Sequence, residues 1–484
     1  MTNKPVAEEV VFVRQTVRWL PADMDTPISL FLETVGSGNG ILLESAEVDG
    51  RWGRYSILAC DMALSIACEE GRLAVTAHDE RFRPLETLSG RDFLPGLREL
   101  MQRLDIAAPE GEMVLPPITR ALYGYLGFEM AALFNPKLAA IVPVNEARCQ
   151  LMLPATVLVF DHLYNRLCQV TLGEHRKPAE FSRSSIACGK SCVPGNIRED
   201  EVLSTPDEAG YQHWVSAIRE MLRAGEAIQV VPSVRFETPF AGDPFGLYRR
   251  MRRFNASPYM FYMRFPQLTL FGSSPEVMVR CTNGQLLLSP IAGTRRRGRD
   301  DIEDSRLAVE LRDDPKERAE HVMLVDLGRN DLGRIARPGS VNLERFMEVE
   351  RFSHVMHLTS RVTARLGEGM DALDVLAATF PAGTVSGAPK IRAMEIIREL
   401  EGRPRGPYAG CIGWIGLDRG SVNLDMGITI RSMWQENATL DWQAGGGIVH
   451  DADPVLEWKE VCNKSAIMRL ALQERGEEHV SAHR

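Results

Sequence analysis

Several features that would define other classes of protein are missing from this sequence. It has no apolar run long enough to span a bilayer, and the polar stretch from Met1 to Val10 has no signal-peptide core. Its nine cysteines are scattered, and no two stand at C-x-x-C spacing. We therefore expect a cytoplasmic protein with reduced thiols, in preference to a disulfide framework or a zinc site at the closest pair, Cys188 and Cys192.

Basic charge is also scarce. Lys and Arg number 56 against 65 Asp and Glu, which leaves a net charge of -9. An acidic chain has no general attraction for nucleic acid or anionic membrane, so we expect neither as a partner. The run Arg295-Arg-Arg297-Gly-Arg299 is short and lacks interleaved aromatics, and we interpret it as a solvated loop in preference to a phosphate or nucleic-acid patch.

The 484 residues, 44% of them apolar and 25% charged, have an ordinary globular composition. Short turns join many of the strand-like segments, which favours antiparallel pairing. Because strands and helices do not alternate regularly, the pattern predicts an α+β fold. We divide the chain into an N-terminal domain at 1–175, a polar linker at 176–210, a second domain at 211–474 and a polar tail at 475–484.

Three helices have clear start or stop signals. Asp314 and Pro315 predict an N-cap and first residue, and Glu317 stands three residues after the cap, as in a capping box. Pro389 precedes a helical apolar pattern that ends at Gly402. Asp453 and the proline after it predict the start of the last helix.

Two of these helices carry paired carboxylates. Glu457, Glu460 and Lys464 share one helix face, and Glu317 and Glu320 are three residues apart on another. Such carboxylates suit a hard cation such as Mg²⁺, which takes oxygen ligands. The same spacing is more often typical of a solvated face on which Glu pairs with Lys or Arg, and spacing alone favours that interpretation.

Two glycine-rich turns and a histidine pair are further candidate binding or catalytic sites. The segment 383–389 runs directly into a helix and suits a carboxylate, and Gly445–Gly447 offers bare backbone to a ligand. Each is also compatible with a tight turn that simply requires glycine. His354 and His357 are too isolated for a metal site, so a single general acid or base is the better functional interpretation, with a core histidine as the alternative.

Two segments stand out in the first half, Leu42-Leu-Glu-Ser45 and Arg51-Trp-Gly-Arg-Tyr-Ser56. The second half has a longer ordered set: Phe271-Gly-Ser-Ser-Pro-Glu276, Pro290-Ile-Ala-Gly-Thr294, Ala319 to Asp331, Val355-Met-His357, Thr384 to Lys390, Gly445 to Val449, Glu457-Trp-Lys-Glu460 and Asn463-Lys464. The second set resembles the chorismate-utilising enzymes, and the first two segments resemble the N-terminal domain of anthranilate synthase component I. The resemblance implies a large antiparallel β-sandwich flanked by helices, to which both halves of the chain contribute.

The resemblance also implies a reaction. Ammonia adds at C2 of chorismate, the C4 hydroxyl leaves, and pyruvate is eliminated to give anthranilate, the first step of tryptophan biosynthesis. It implies Mg²⁺ on Glu320 and Glu460 with Glu457 nearby, and His357 as a proton donor near the departing hydroxyl. The implied substrate-binding residues are Gly293, Thr294, Thr384, Tyr408, Arg431, Gly445, Gly446, Gly447 and Lys464.

Two positions distinguish members of the family. Gln229 stands where water-adding relatives have a lysine that activates water, and Ala292 stands where aminodeoxychorismate synthases typically carry a nucleophilic lysine. Both residues favour direct attack by ammonia and hence anthranilate synthase. An aminodeoxychorismate synthase and a non-catalytic tryptophan-binding regulator on the same fold are the alternatives.

Regulation and partners follow from the same resemblance. Ser45 and the segment Pro258, Tyr259 and Met260 match the residues that hold tryptophan in feedback-inhibited members. The sequence has no Gly-x-Cys-x-Gly glutaminase motif, so we expect a separate glutamine amidotransferase subunit for glutamine-dependent activity. Without that subunit, we expect the chain to use free ammonia.

Overall fold

The computed structural model describes residues 10–45, 53–109, 115–173, 201–352 and 355–473. Several sequence predictions lie outside these ranges: Cys188, Cys192, His354, the polar tail and most of the linker at 176–210.

Twenty-three strands and eleven α-helices are present in the described ranges, together with four 3-10 helices at Glu80–Leu88, Pro117–Thr119, Phe128–Met130 and Val144–Glu146. The strands are β1 (Val11–Pro21), β2 (Gly40–Glu44), β3 (Tyr55–Glu69), β4 (Arg72–Ala77), β5 (Leu104–Ala107), β6 (Ala121–Leu126), β7 (Cys149–Asp161), β8 (Arg166–Leu172), β9 (Leu203–Thr205), β10 (Gln229–Val230), β11 (Ser233–Pro239), β12 (Tyr259–Arg264), β13 (Thr269–Ser274), β14 (Val277–Thr282), β15 (Gln285–Leu288), β16 (Ile291–Arg296), β17 (Asn342–Arg351), β18 (Val355–Arg365), β19 (Gly387–Ala388), β20 (Cys411–Gly416), β21 (Leu424–Ile428), β22 (Ser432–Glu436) and β23 (Thr439–Gly445). The helices are α1 (Pro27–Thr34), α2 (Phe93–Arg103), α3 (Ala131–Phe134), α4 (Glu208–Arg223), α5 (Pro244–Phe254), α6 (Asp301–Asp313), α7 (Pro315–Gly333), α8 (Ala372–Thr379), α9 (Gly383–Ser386), α10 (Lys390–Glu401) and α11 (Pro454–Leu472).

The strands form two layers that share two long strands. The first layer runs β9, β11, β23, β22, β13, β12, β2, β3, β7, β8, β1, and the second runs from β17 through β18, β15 with β16, β14, β21, β20 and β6 to β7, β3 and β4. Strands β3 and β7 pair from Tyr55–Asp161 to Cys68–Cys149, with a bulge between Met62 and Leu64. Among the described strand pairs, only β1–β5 is parallel, so the antiparallel α+β prediction is confirmed.

Alternate residues of the first layer point into two different cores. Ile41 and Phe261 lie in the core between the layers, while their neighbours Leu42 and Tyr262 lie in a second core under the outer helices. A strand that is buried on both faces has a continuous apolar sequence, because both sides of the pleated strand need apolar side chains. The resulting arrangement is a β-sandwich with helices packed outside it.

Strands from early and late parts of the chain are direct neighbours. Strand β2 pairs with β12 through Glu44 and Met260, and β6 pairs with β20 along its whole length. Both halves of the sequence therefore contribute to both layers, as predicted. The predicted domain boundaries stay a prediction.

The three helix signals in the sequence mark the observed helix ends. Asp314 caps α7, Asp453 caps α11, and Gly402 ends α10 with a left-handed φ of 62°. The capping box at Glu317 was wrong in one respect, because the amide of Asp314 donates to Glu310 and leaves Glu317 free to pair with Arg295. Within the described ranges, no helix is both long enough and apolar enough to cross a membrane.

Candidate active site

The first turns of α7 and α11 bring their carboxylates together. Glu457 is buried, and its pKa rises to about 7 because of burial and the nearby carboxylate of Glu460, with Glu320 adding to the effect. Burial also raises the pKa of Glu320, and the Glu317 and Glu460 carboxylates raise it further. The paired carboxylates therefore do not form two separate solvated faces, but share one electrostatic environment.

This carboxylate cluster fits a divalent cation. One oxygen of Glu457, Oε2, is buried without a hydrogen-bond partner, and like charges at short range need a counter-charge. Among the described residues, no group of three or more Asp, Glu, His or Cys side chains is placed so as to hold a metal ion. Mg²⁺ is compatible with that, because it often takes one or two carboxylates and completes its shell with water and substrate oxygens.

Lys464 joins the cluster to the glycine segment, which we define as Gly445–Gly447. Its Nζ lies 2.7 Å from Oε1 of Glu460 and donates to the Gly445 carbonyl oxygen at 3.0 Å. Positions four apart on α11 place the lysine and Glu460 on the same face. The carboxylates and the glycine segment are thus parts of one site.

The glycine segment has no room for side chains. A Cβ at Gly445 would stand 2.5 Å from the Pro232 carbonyl oxygen and 2.9 Å from the Tyr408 hydroxyl. At Gly447 it would stand 2.5 Å from Nε2 of Gln229, and at Gly446 it would be 3.1 Å from Oε2 of Glu457. Glycine is therefore required at Gly445, where backbone obstructs a side chain, whereas a side chain at Gly447 would displace that of Gln229.

Gln229 lies at the centre of these contacts. Its Nε2 donates to Oε1 of Glu320 at 3.3 Å, while its side-chain carbonyl oxygen is buried without a partner. Strand β10 pairs with β19, and Val230 also bridges to Ile448, just after the glycine segment. The short strand holds Gln229 between two predicted substrate-binding segments.

His357 on β18 is fixed by its neighbours on β16. Its Nδ1 lies 2.8 Å from the carbonyl oxygen of Gly293 and 3.1 Å from Oγ1 of Thr294. Since a carbonyl only accepts, Nδ1 carries the proton, which leaves Nε2 of the neutral ring as the acceptor. Burial lowers the pKa of the imidazole, and Arg431 lowers it further, against the effect of the Gly293 carbonyl.

Gly293 forms a bulge that aims this carbonyl at His357. Its φ is 61°, and the β16–β18 register shifts between Ala292 and Thr294. A Cβ here would stand 2.8 Å from Leu311 and 3.0 Å from Oε2 of Glu317. The backbone conformation and the packing against α6 and α7 thus explain why the segment 290–294 has glycine at position 293.

Glu276 is a carboxylate that the sequence interpretation did not assign to the site, and it lines one cavity together with Thr384. Burial raises the pKa of Glu276 to about 7, against the effects of the Thr384 hydroxyl, Lys464 and Arg431. Burial lowers the pKa of Arg431, which Glu276 opposes. Glu276 ends a recognised motif, but only the fold shows that it faces three of the predicted substrate-binding residues.

The basic run was interpreted wrongly as a solvated loop. Arg295 contacts Glu310 on α6 and both Asp314 and Glu317 at the start of α7. Arg297 pairs with Asp304 on α6 at 2.7 Å. These ion pairs neutralise the run. Arg295 also supplies a counter-charge to Glu317, which still acts on Glu320.

The predicted tryptophan residues lie together at one place in the first layer. Met260 pairs with Glu44, which puts Ser45 at the end of β2 beside the start of β12, where Pro258 and Tyr259 lie. The Tyr259 hydroxyl donates to Oδ1 of Asp425 at 2.5 Å, and Glu44 is held by Arg252 at 2.8 Å. The two segments thus meet across a strand pair.

Comparison with known proteins agrees with this geometry. The family model for chorismate binding enzymes matches residues 60–469. The chain is 39% identical to anthranilate synthase component 1 of Aquifex aeolicus over 94% of this chain and 93% of that protein. It is 38% identical to anthranilate synthase component 1 of Pseudomonas aeruginosa, with 93% of this chain and 94% of the relative covered.

Solved structures agree as well. Anthranilate synthase component I from Streptococcus pneumoniae superposes with a TM-score of 0.69 at 32% identity, covering 93% of this chain and 99% of that one. The menaquinone-specific isochorismate synthase from Escherichia coli shares the fold alone, with a TM-score of 0.69 at 20% identity over 95% of each chain. Fold, site and similarity define a chorismate-binding enzyme. Within that class, the chain belongs to the anthranilate synthase component I family.

Proposed function

We propose that this chain converts chorismate and ammonia into anthranilate, pyruvate and water. Ammonia forms the new C–N bond at C2, the C4 hydroxyl leaves as water after protonation, and the enolpyruvyl group leaves as pyruvate. The observation that carries the proposal is the shared contact of Gln229 with Glu320 and with the glycine segment. It joins the nucleophile-selecting position to the carboxylate cluster and to the bare backbone suited to the substrate.

Glu320 and Glu460 would hold Mg²⁺, with Glu457 beside them. When bound, Mg²⁺ supplies a Lewis acid and a template for a substrate carboxylate. Lys464 and Arg431 add positive charge around the other end of the substrate, and the guanidinium suits a bidentate carboxylate contact. Tyr408, Thr384, Thr294 and the backbone of Gly293 and Gly445–Gly447 complete the proposed binding surface.

Protonation of the departing hydroxyl is assigned to His357. The Gly293 carbonyl orients its ring so that Nε2 is the atom that takes and delivers a proton. Because burial lowers the pKa of the imidazole, the ring must be protonated again in each turnover. We propose Glu276 for this role, because its pKa is raised to about 7 and Arg431 acts on both groups.

The identity of the nucleophile follows from what two side chains lack. Gln229 has no amine with which to activate water, and the buried methyl group of Ala292 cannot attack the ring. Ammonia therefore has to come from outside the chain. We propose that a separate glutamine amidotransferase subunit supplies it in the cytoplasm, and that free ammonia substitutes at high concentration.

The proposed activity is tested with the purified chain, chorismate, Mg²⁺ and ammonium at alkaline pH. We expect anthranilate fluorescence and an equal amount of pyruvate, both abolished by EDTA and restored by Mg²⁺. An aminated product that keeps its enolpyruvyl group would instead indicate an aminodeoxychorismate synthase. Glu320→Ala should lose most of the activity, whereas Asp326→Ala, in an exposed ion pair on the same helix, should retain it.

We further propose feedback inhibition by L-tryptophan at Ser45, Pro258, Tyr259 and Met260. The meeting of β2 and β12 supports one site formed by both segments. Tryptophan should inhibit the ammonia-dependent reaction, and Ser45→Ala should need several-fold more tryptophan at unchanged turnover. Equal inhibition of both proteins would contradict the assignment of Ser45, and no inhibition of the unaltered chain would contradict the regulatory proposal.

A further inference from the structure

Arg405 is a buried arginine that joins segments of the site without belonging to any motif considered above. It is 2% exposed. Its Nη1 donates to the carbonyl oxygen of Val385 at 2.9 Å, and its Nη2 donates to the carbonyl oxygen of Val231 at 2.7 Å. The guanidinium therefore bridges two stretches of backbone that are far apart in the sequence.

Each of these carbonyls lies next to a predicted site residue. Val385 follows Thr384, and Val231 is two residues after Gln229. The guanidinium carbon also lies 5.6 Å from the ring centre of Tyr408, a third predicted substrate contact. One side chain thus contacts the backbone or ring of three substrate-binding elements.

Glu401 neutralises the arginine and extends the same network. It accepts from Nε of Arg405 at 2.9 Å and from Nη2 at 2.6 Å. One of its oxygens also accepts from the amide of Ser233 at 2.8 Å and from the hydroxyl at 3.0 Å. Ser233 pairs with Gly445 across β11 and β23, so the glycine segment is tied to the same ion pair.

The backbone of Arg405 is anchored from the opposite side. Glu129 accepts from the Arg405 amide at 2.6 Å and from the Gly406 amide at 3.1 Å. The guanidinium lies over the ring of Phe128 at 4.6 Å. The planar guanidinium suits this position, because its N–H groups donate in fixed directions to one carboxylate and to two backbone carbonyls.

We propose that Arg405 is a positioning residue that sets the Thr384 turn, the Gln229 strand and Tyr408 in register with one another for turnover. Arg405 is buried, and its Nε, Nη1 and Nη2 all donate to protein groups, so it acts through the residues that would touch the substrate. The inference rests on the proposed function. An error of about 1 Å in placing such groups typically costs on the order of 100-fold in rate.

The test separates positioning from stability with two variants. Arg405→Met leaves Glu401 as a buried charge without its partner, and should lower both the melting temperature and kcat/KM. Adding Glu401→Gln removes that charge while keeping an oxygen for Ser233, and should restore most of the melting temperature. We expect kcat/KM for chorismate to stay about 10- to 100-fold below the unaltered chain. Recovery of both quantities would overturn the proposal.

Arg398 provides a control on α10, the helix that also carries Glu401. It forms a two-bond pair with Glu146 at 2.8 Å and has no bond to the three segments. Arg398→Met with Glu146→Gln should change kcat/KM less than two-fold.

A lysine variant covers the case in which the double variant does not fold. Arg405→Lys keeps the charge beside Glu401 but cannot span both carbonyls, so we expect a near-normal melting temperature and at least a five-fold loss of kcat/KM. Full activity would overturn the proposal. Chorismate binding is measured in parallel through the intrinsic fluorescence of the protein. If the unaltered chain makes no anthranilate, the proposed function fails. The chorismate affinity of the variants still tests the role of Arg405 in that case.

Discussion

Gly387→Ala should damage both the stability and the activity of the enzyme. Gly387 has a φ of 128°, which side-chain-bearing residues rarely adopt, and a Cβ would stand 2.2 Å from the Gln229 carbonyl oxygen and 2.9 Å from Cβ of Ala393. A normal contact needs a separation of about 1 Å more, which β10 and β19 must provide by moving apart. Strained φ and overpacking each cost about 1 to 3 kcal/mol, so we expect a loss of about 2 to 6 kcal/mol.

The matched control is Gly402→Ala at the end of α10. Gly402 also has a positive φ, 62°, but nothing lies within 4 Å of its added Cβ, so the cost should be only about 1 to 2 kcal/mol. Urea unfolding compares the two variants, and the ammonia-dependent assay should find a loss of about 100-fold in kcat/KM for Gly387→Ala alone. Equal stability of the two variants, with normal turnover, would refute the packing argument.

Three further predictions concern single side chains. Burial raises the pKa of Glu129 to about 7 from its ordinary 4.5, so its contribution to stability is complete at low pH and is lost as the pH rises from 4.5 to 7. This loss amounts to about 3 kcal/mol; Glu129→Gln should remove it from pH-dependent unfolding curves, and an unchanged slope would contradict the assignment. His357→Ala should lower kcat by about 100-fold or more with KM for chorismate within a few-fold, and normal steady-state kcat would exclude the proton-transfer role. Gln229→Lys should place an ammonium beside Glu320 and raise the Mg²⁺ concentration needed for half-maximal activity, and an unchanged Mg²⁺ titration would argue against metal binding at Glu320.

Local signals in the sequence were reliable wherever neighbouring residues decide the outcome. Asp314 and Asp453 cap their helices, and Gly402 ends α10, because caps depend on side-chain and backbone geometry within one turn. The same local reasoning failed at Glu317, where a distant arginine, Arg295, competes for the carboxylate. It also failed for the basic run at residues 295–299. The acidic partners of that run lie on α6 and α7, and spacing along the sequence does not show that these helices pack beside it.

The sequence by itself determined the α+β class and the family, because these depend on residue type and order along the chain. It also showed Gln229 and Ala292 at the two positions that distinguish members of the family. Only the tertiary structure brought Glu276 into the cavity that Thr384 lines, and joined Arg405 to three segments of the site. The physical reason is that these contacts join residues far apart in the chain, through strands that pair across both halves of the sequence. Burial, and the pKa changes and hydrogen-bond requirements that follow from it, arises only when those strands and helices pack.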